Sequence, residues 1–119
     1  FHLNLTLDLK NPMPSLSPDV EQTIYRIAQE CIENIVNHSR AKNFSVSLQS
    51  NGHTTLTIQD DGIGFDMKSD VSSGHFGLVG MHERAELVGG RLKIESPALS
   101  GEAVSKGEKG KGTKVVLTI

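Results

Sequence analysis

The sequence predicts an α+β fold: a two-layer α/β sandwich with helices on one face of a mixed, mostly antiparallel sheet. Three observations predict it. Short runs alternate apolar with polar residues, two other stretches repeat their apolar residues at helical spacing, and the order is strand, helix, hairpin, long loop, helix, hairpin.

Leu3, Leu5, Leu7 and Leu9 alternate with polar residues and read as a half-buried strand, which Asn11-Pro12-Met13-Pro14 stops. A helix follows, with Ser17 as N-cap, Pro18 at the first helical position, and Asp19 and Glu21 at its positive end. Val20, Ile24, Ile27, Ala28, Cys31 and Ile35 form its apolar face, and Glu30, Asn34 and His38 run along the border of that face. Phe44, Val46 and Leu48, the turn pair Asn51-Gly52, then Leu56 and Ile58 read as a hairpin. Residues 66–80 hold three Ser, three Gly and few large apolar residues, a composition that predicts a long mobile loop of the kind that acts as a lid. Residues 81–88 read as a second helix stopped by Gly89-Gly90, and Leu92 and Ile94 begin a strand that Pro97 ends. Residues 98–112 lack periodicity, and Val115, Leu117 and Ile119 make a last strand.

The 119 residues suffice for one core, so residues 1–119 are expected to be a single domain. A hydrophobic fraction of 36% and a formal net charge of −2 point away from disorder and from nucleic-acid binding. The single cysteine, Cys31, lies in the apolar helical pattern and reads as a buried structural thiol. No apolar run reaches the length of a membrane span and no signal peptide opens the chain, so a cytoplasmic location is expected. A start in strand-like sequence without Met suggests a domain cut from a longer chain, which leaves room for a membrane-bound parent.

Two segments carry chemistry. Glu30, Asn34 and His38, four apart, form one row that can face a ligand; it reads equally as a solvated helix edge. Asn34 offers an uncharged oxygen suited to magnesium beside a polyphosphate, and Glu30 can hold a metal-bound water or accept a proton. Asp60, in Asp60-Asp61-Gly62-Ile63-Gly64, closes a strand where an acceptor carboxylate favours adenine, whose exocyclic amine donates. Gly62 and Gly64 let the backbone approach a base, although Asp-Gly is also an ordinary turn former. Gly77-Leu78-Val79-Gly80-Met81 leads into a helix whose free N–H groups suit phosphate oxygens, with His75 and Arg84 near in sequence. Thr113 can place a hydroxyl beside Asp60.

Rival motifs fail on single residues. Ser105 stands where a phosphate loop ending at Gly110-Lys111-Gly112-Thr113 needs Gly, and Met67 stands at the third glycine of a dinucleotide fingerprint. Glu86 replaces the second His of a zinc helix. Lys106, Lys109, Lys111 and Lys114, interrupted by Glu108, read as a solvated loop.

Taken together, the motifs resemble the ATP-binding domain of sensor histidine kinases, within the group that includes gyrase, Hsp90 and MutL. Gln29-Glu30-Cys31-Ile32-Glu33-Asn34-Ile35-Val36-Asn37-His38-Ser39 resembles the N box, and Asp60-Asp61-Gly62-Ile63-Gly64-Phe65 the first glycine box. Gly77-Leu78-Val79-Gly80-Met81-His82-Glu83-Arg84 resembles the second, and its form, with Glu30, looks like the nitrate-sensor type. Leu87-Val88-Gly89-Gly90 and Gly112-Thr113 complete the pattern.

The resemblance implies a Bergerat-type sandwich with an ATP lid, binding ATP and Mg2+. It implies that Asn34 ligates magnesium, that Glu30 is the acid/base residue and reaches the metal through water, and that Asp60 recognises the adenine amine. Gly62 and Gly64 would shape the base pocket, Gly77 and Gly80 would frame the lid, and His75, Leu78, Met81 and Thr113 would line the nucleotide. Asn37 stands where many members carry Lys, and His38 where an aromatic ring is frequent; His38 is expected to stack on the base or touch phosphate. The resemblance also implies an upstream dimerisation and phospho-acceptor domain, absent before Phe1, a response-regulator partner, a monomeric isolated domain and a homodimeric parent. A serine-kinase or anti-sigma module and a clamp-type ATPase of the same fold are the alternatives.

Overall fold

The computed structural model describes residues 4–9, 16–63, 78–95 and 112–119. Five strands, β1 (Asn4–Leu9), β2 (Asn43–Asn51), β3 (His53–Asp60), β4 (Arg91–Glu95) and β5 (Thr113–Thr118), form one sheet in the order β1-β2-β3-β5-β4. β1 runs parallel to β2, and every other pair is antiparallel. Parallel neighbours need a long crossover, which the first helix, α1 (Pro18–Asn34), supplies. The second, α2 (Leu78–Leu87), packs against α1 and beside β4.

The helix ends follow from local chemistry. Ser17 caps α1 as expected, its side chain accepting from the Val20 N–H at 3.3 Å, with Pro18 at the start. α2 ends in a Schellman motif: Gly89 takes φ +71, the Gly90 N–H donates to the Ala85 carbonyl, and the Gly89 N–H to that of Glu86. The hairpin turn centres on Gly52 at φ +80 between paired Asn51 and His53.

One face of the sheet meets the helices. Phe44, Leu56, Ile58, Val115 and Leu117 from the strands are buried with Ile27, Cys31 and Ile35 from the first helical segment and Met81 and Ala85 from α2. Burying an aliphatic side chain of this size contributes about 1.5–3 kcal/mol, so the face that carries them decides the strand register.

Three expectations need correction. β1 is not half-buried: Leu5, Leu7 and Leu9 are 54%, 58% and 51% exposed, because β1 is an edge strand beyond the cover of α1 and α2. α2 begins at Leu78 instead of 81, so Leu78, Val79 and Gly80 belong to the helix and not to the loop. α1 also does not continue evenly to His38; a π-helical turn, Ile35–Ser39, follows it and ends at Arg40 in the left-handed region, φ 55. The expected stops at 11–14 and Pro97, the loop over 66–77 and the segment 98–111 lie outside the described residues.

Candidate functional site

The carboxylate of Asp60 is buried and held by backbone donors. It ends β3, is 5% exposed, and pairs in register with Thr113 of β5. Its Oδ1 accepts the Gly62 N–H at 2.8 Å, and the Thr113 N–H also donates to the carboxylate. Burial raises its pKa above the ordinary value, the neighbouring Asp61 pushes the same way, and the two backbone donors offset part of this. A buried carboxylate held this way is an acceptor with a fixed direction.

Asp61 behaves differently although it is next in sequence. Its Oδ1 accepts the N–H groups of Lys42 and Asn43 at 2.9 and 3.0 Å, and its Oδ2 accepts the Asn43 side-chain amide at 2.7 Å. These donors, the Asn43 N–H foremost, hold its pKa below the ordinary value. Its own N–H donates to the Asn43 carbonyl at 3.1 Å, so Asp61 ties the Asp60 turn to the start of β2. The other side of the turn is closed by Gly112, whose N–H donates to the Gly62 carbonyl at 2.7 Å.

Glu30 and Asn34 are half-buried on the border of α1, one turn apart as the spacing predicts. Asn37 is exposed, and it lies with His38 in the π-helical turn that follows α1. A cleft of about 350 Å³ opens between the helices, lined by Arg26, Gln29, Glu30 and Glu33 from α1 and Gly80, Met81 and Arg84 from α2. Met81 belongs mainly to the core, at 2% exposed, with its Sδ 3.8 Å from the Cys31 Sγ. Gly80 is open, and a side chain there would meet no protein atom within 4 Å.

Cys31 links the two regions. Burial pushes its thiol up to about 12, and the charges of Glu30 and Asp60 act in the same direction. α1, which carries Glu30 at the cleft, packs against β3, which ends at Asp60. Such a layout can hold a long polar ligand with one hydrogen-bonded end and one anionic end.

The structure thus brings Glu30, Gly80 and Met81 together at the cleft, places Asn34 one turn along α1, and joins Asp60, Gly62 and Thr113 at the β3 end. Leu78 is the first residue of α2, while Gly64, His75 and Gly77 lie outside the described residues. Sequence reasoning did not anticipate Arg26 and Glu33 in the cleft or Asp61 as a clamp. Arg26 was readable in principle, since Arg26, Glu30 and Asn34 continue one i, i+4 row. Among the described residues no helix is long and apolar enough to cross a membrane.

Comparison with known proteins gives one family. The model of the histidine kinase-, DNA gyrase B-, and HSP90-like ATPase family matches residues 19–119. An uncharacterised sensor-like histidine kinase of Chloroflexus aurantiacus is 36% identical over 110 residues, 87% of this chain and 17% of that protein. The signal transduction histidine-protein kinase/phosphatase DegS of Bacillus subtilis is 36% identical over 84 residues, 68% of this chain and 22% of that protein. This chain therefore spans about a fifth of the length of these relatives. The fold is also that of the histidine kinase domain of the Erythrobacter litoralis EL346 blue-light activated histidine kinase (TM-score 0.71, 18% identity, 98% of this chain and 51% of that one). It is shared as well by the Acinetobacter baumannii histidine kinase AdeS (TM-score 0.72, 18% identity, 98% and 53%).

Proposed function

Since this chain belongs to the histidine kinase-, DNA gyrase B-, and HSP90-like ATPase family, we propose that it is the catalytic ATP-binding domain of a two-component sensor histidine kinase. The observation that carries this reading is a buried, backbone-held acceptor, Asp60, at the end of the strand β3, against which the helix bearing Glu30 and Asn34 packs. In this reading Asp60 accepts a hydrogen bond from the adenine amine, and Gly62 keeps the backbone close to the ring. Guanine would bring a carbonyl to the same place and leave two acceptors opposed.

The triphosphate then runs along α1 past Asn34. Among the described residues no three His, Cys, Asp or Glu side chains converge on a possible metal position. The fit to magnesium rests on Asn34: one amide oxygen, with water and phosphate oxygens, matches how that ion is commonly held. Bound there, magnesium would offset phosphate charge. Glu30, one turn away, would accept the proton released when the attacking nucleophile forms its bond to the γ-phosphorus and ADP leaves. The nucleophile is an imidazole nitrogen of a histidine on the protein's own dimerisation domain, and the phosphoryl group passes on to an aspartate of a response regulator. The parent protein is then a homodimer acting in the cytoplasm, where ATP and the regulator meet. The form of the second glycine box groups it with the nitrate-sensor type, and no observation favours the anti-sigma or clamp alternatives.

The test is autophosphorylation of the full protein with γ-labelled ATP. Glu30→Ala should keep ATP affinity and lower phosphoryl transfer about 100-fold or more. Unchanged transfer would remove Glu30 from the chemistry, and label on a residue other than histidine would overturn the kinase assignment.

A further inference from the structure

We propose that Arg84, assisted by Arg26 across the cleft, grips the terminal phosphate of ATP. This deepens the reading above and rests on it. Glu30 and Asn34, the α1 residues that the phosphates pass in that reading, offer no positive charge, so the cation has to come from a neighbouring residue.

The cleft supplies it. Its walls bring two guanidiniums, Arg26 and Arg84, together with two carboxylates, Glu30 and Glu33. These groups do not consume one another: among the described residues no ion pair joins either arginine to either glutamate, whereas Lys93 and Glu95 on β4 do pair, at 3.3 Å. Arginines placed to staple two helices would close onto facing carboxylates; these stay apart around an open volume of about 350 Å³.

The placement also has a direction. Arg26, Glu30 and Asn34 follow one another at four-residue steps, about 6 Å each along the helix. A nucleotide with its base at Asp60 and its phosphates passing Asn34 would bring its terminal phosphate to Glu30 at the cleft, and Arg26 lies one turn further on. On the opposite wall, Arg84 lies four residues after Gly80, where the missing side chain leaves room for a ligand. The charges agree with this placement. A magnesium-bound triphosphate keeps net negative charge, and a cleft holding Glu30 and Glu33 without the arginines would repel it. A guanidinium also matches the terminal phosphate in shape, since its fork donates to two oxygens at once. ADP ends before this point.

The experiment measures ATP and ADP affinities by calorimetry with Mg2+ for the wild-type protein, Arg84→Gln, Arg84→Lys and Arg26→Gln. Arg84→Gln should weaken ATP about tenfold or more and leave ADP within about twofold, with Arg84→Lys recovering part of the loss. Arg26→Gln should move the ATP/ADP ratio the same way by less. Equal weakening of both nucleotides would assign Arg84 a structural role, and no change in either would overturn the proposal. If Arg84→Gln does not fold, the ratio in Arg84→Lys and Arg26→Gln decides. A wild-type protein that binds neither nucleotide would instead overturn the nucleotide site itself.

Discussion

Gly62 and Gly112 meet backbone to backbone at the end of the sheet, the Gly112 N–H donating to the Gly62 carbonyl at 2.7 Å. Gly112 takes φ +71, and a Cβ there would run into the carbonyl of Asp60. The last strand enters the sheet by pressing directly on the turn that holds the buried carboxylate.

Gly112→Ala should therefore act on stability and site together. The left-handed backbone and the clash with Asp60 should cost about 3 kcal/mol, read from the denaturant midpoint. Nucleotide affinity, measured where the variant is still folded, should fall as well. An unfolding curve that overlays the wild type would mean that residue 112 has more room than its contact with Asp60 indicates.

Asp60→Asn should separate function from stability. Because burial raises the Asp60 pKa, the folded chain holds this proton more tightly than the unfolded chain. Stability from this group is present at low pH and lost as pH rises through the folded value. At neutral pH the neutral amide removes that penalty and can still accept from Gly62. The unliganded melting temperature should be equal to or above that of the wild type, while ATP affinity drops tenfold or more. Unchanged calorimetric affinity would take Asp60 out of the base pocket.

Asp61 has the opposite linkage. Its folded pKa lies below the ordinary 3.8, so its contribution is present above that value and lost as pH falls through the lower, folded one. Asp61→Ala should cost about 1 kcal/mol at neutral pH, discounted for the exposure of the carboxylate, and should flatten the acid limb of the stability profile. An acid limb identical to that of the wild type would show that the Lys42 and Asn43 bonds contribute nothing in solution.

The thiol of Cys31, pushed to about 12 by burial and by two carboxylates, should stay protonated and inert in the folded protein. Reaction with a disulfide reagent should follow unfolding, accelerating with denaturant. Fast labelling under native conditions would mean that the contact between Cys31 and Met81 opens readily.

Local signals were legible and distant ones were not. Ser17-Pro18 and Gly89-Gly90 mark helix ends because capping depends on neighbours a few residues away. The alternation of Leu5, Leu7 and Leu9 reports a shared face but not whether a helix covers it, so burial was misjudged. Apolar spacing continues through Ile35 without a mark for the change of winding there. At the site, Glu30, Asn34 and Asp60 were readable from spacing and residue type. Arg84 was seen only as a sequence neighbour of the second glycine box, because its position facing Glu30 depends on how two helices pack. Asp61 reads in sequence as half of one acidic pair, and only its partners, Lys42 and Asn43, distinguish it from Asp60.

The pairing of β1 with β2 also sets an order of events. Asn4 meets Asn43 across a separation of 39 residues, whereas β2 and β3 close over the single residue Gly52. Closing the longer loop costs more chain entropy, and the exposed leucines of β1 return little apolar burial for it. β1 is accordingly the strand to zip last during folding, and its amides are the first in the sheet to trade hydrogen for deuterium.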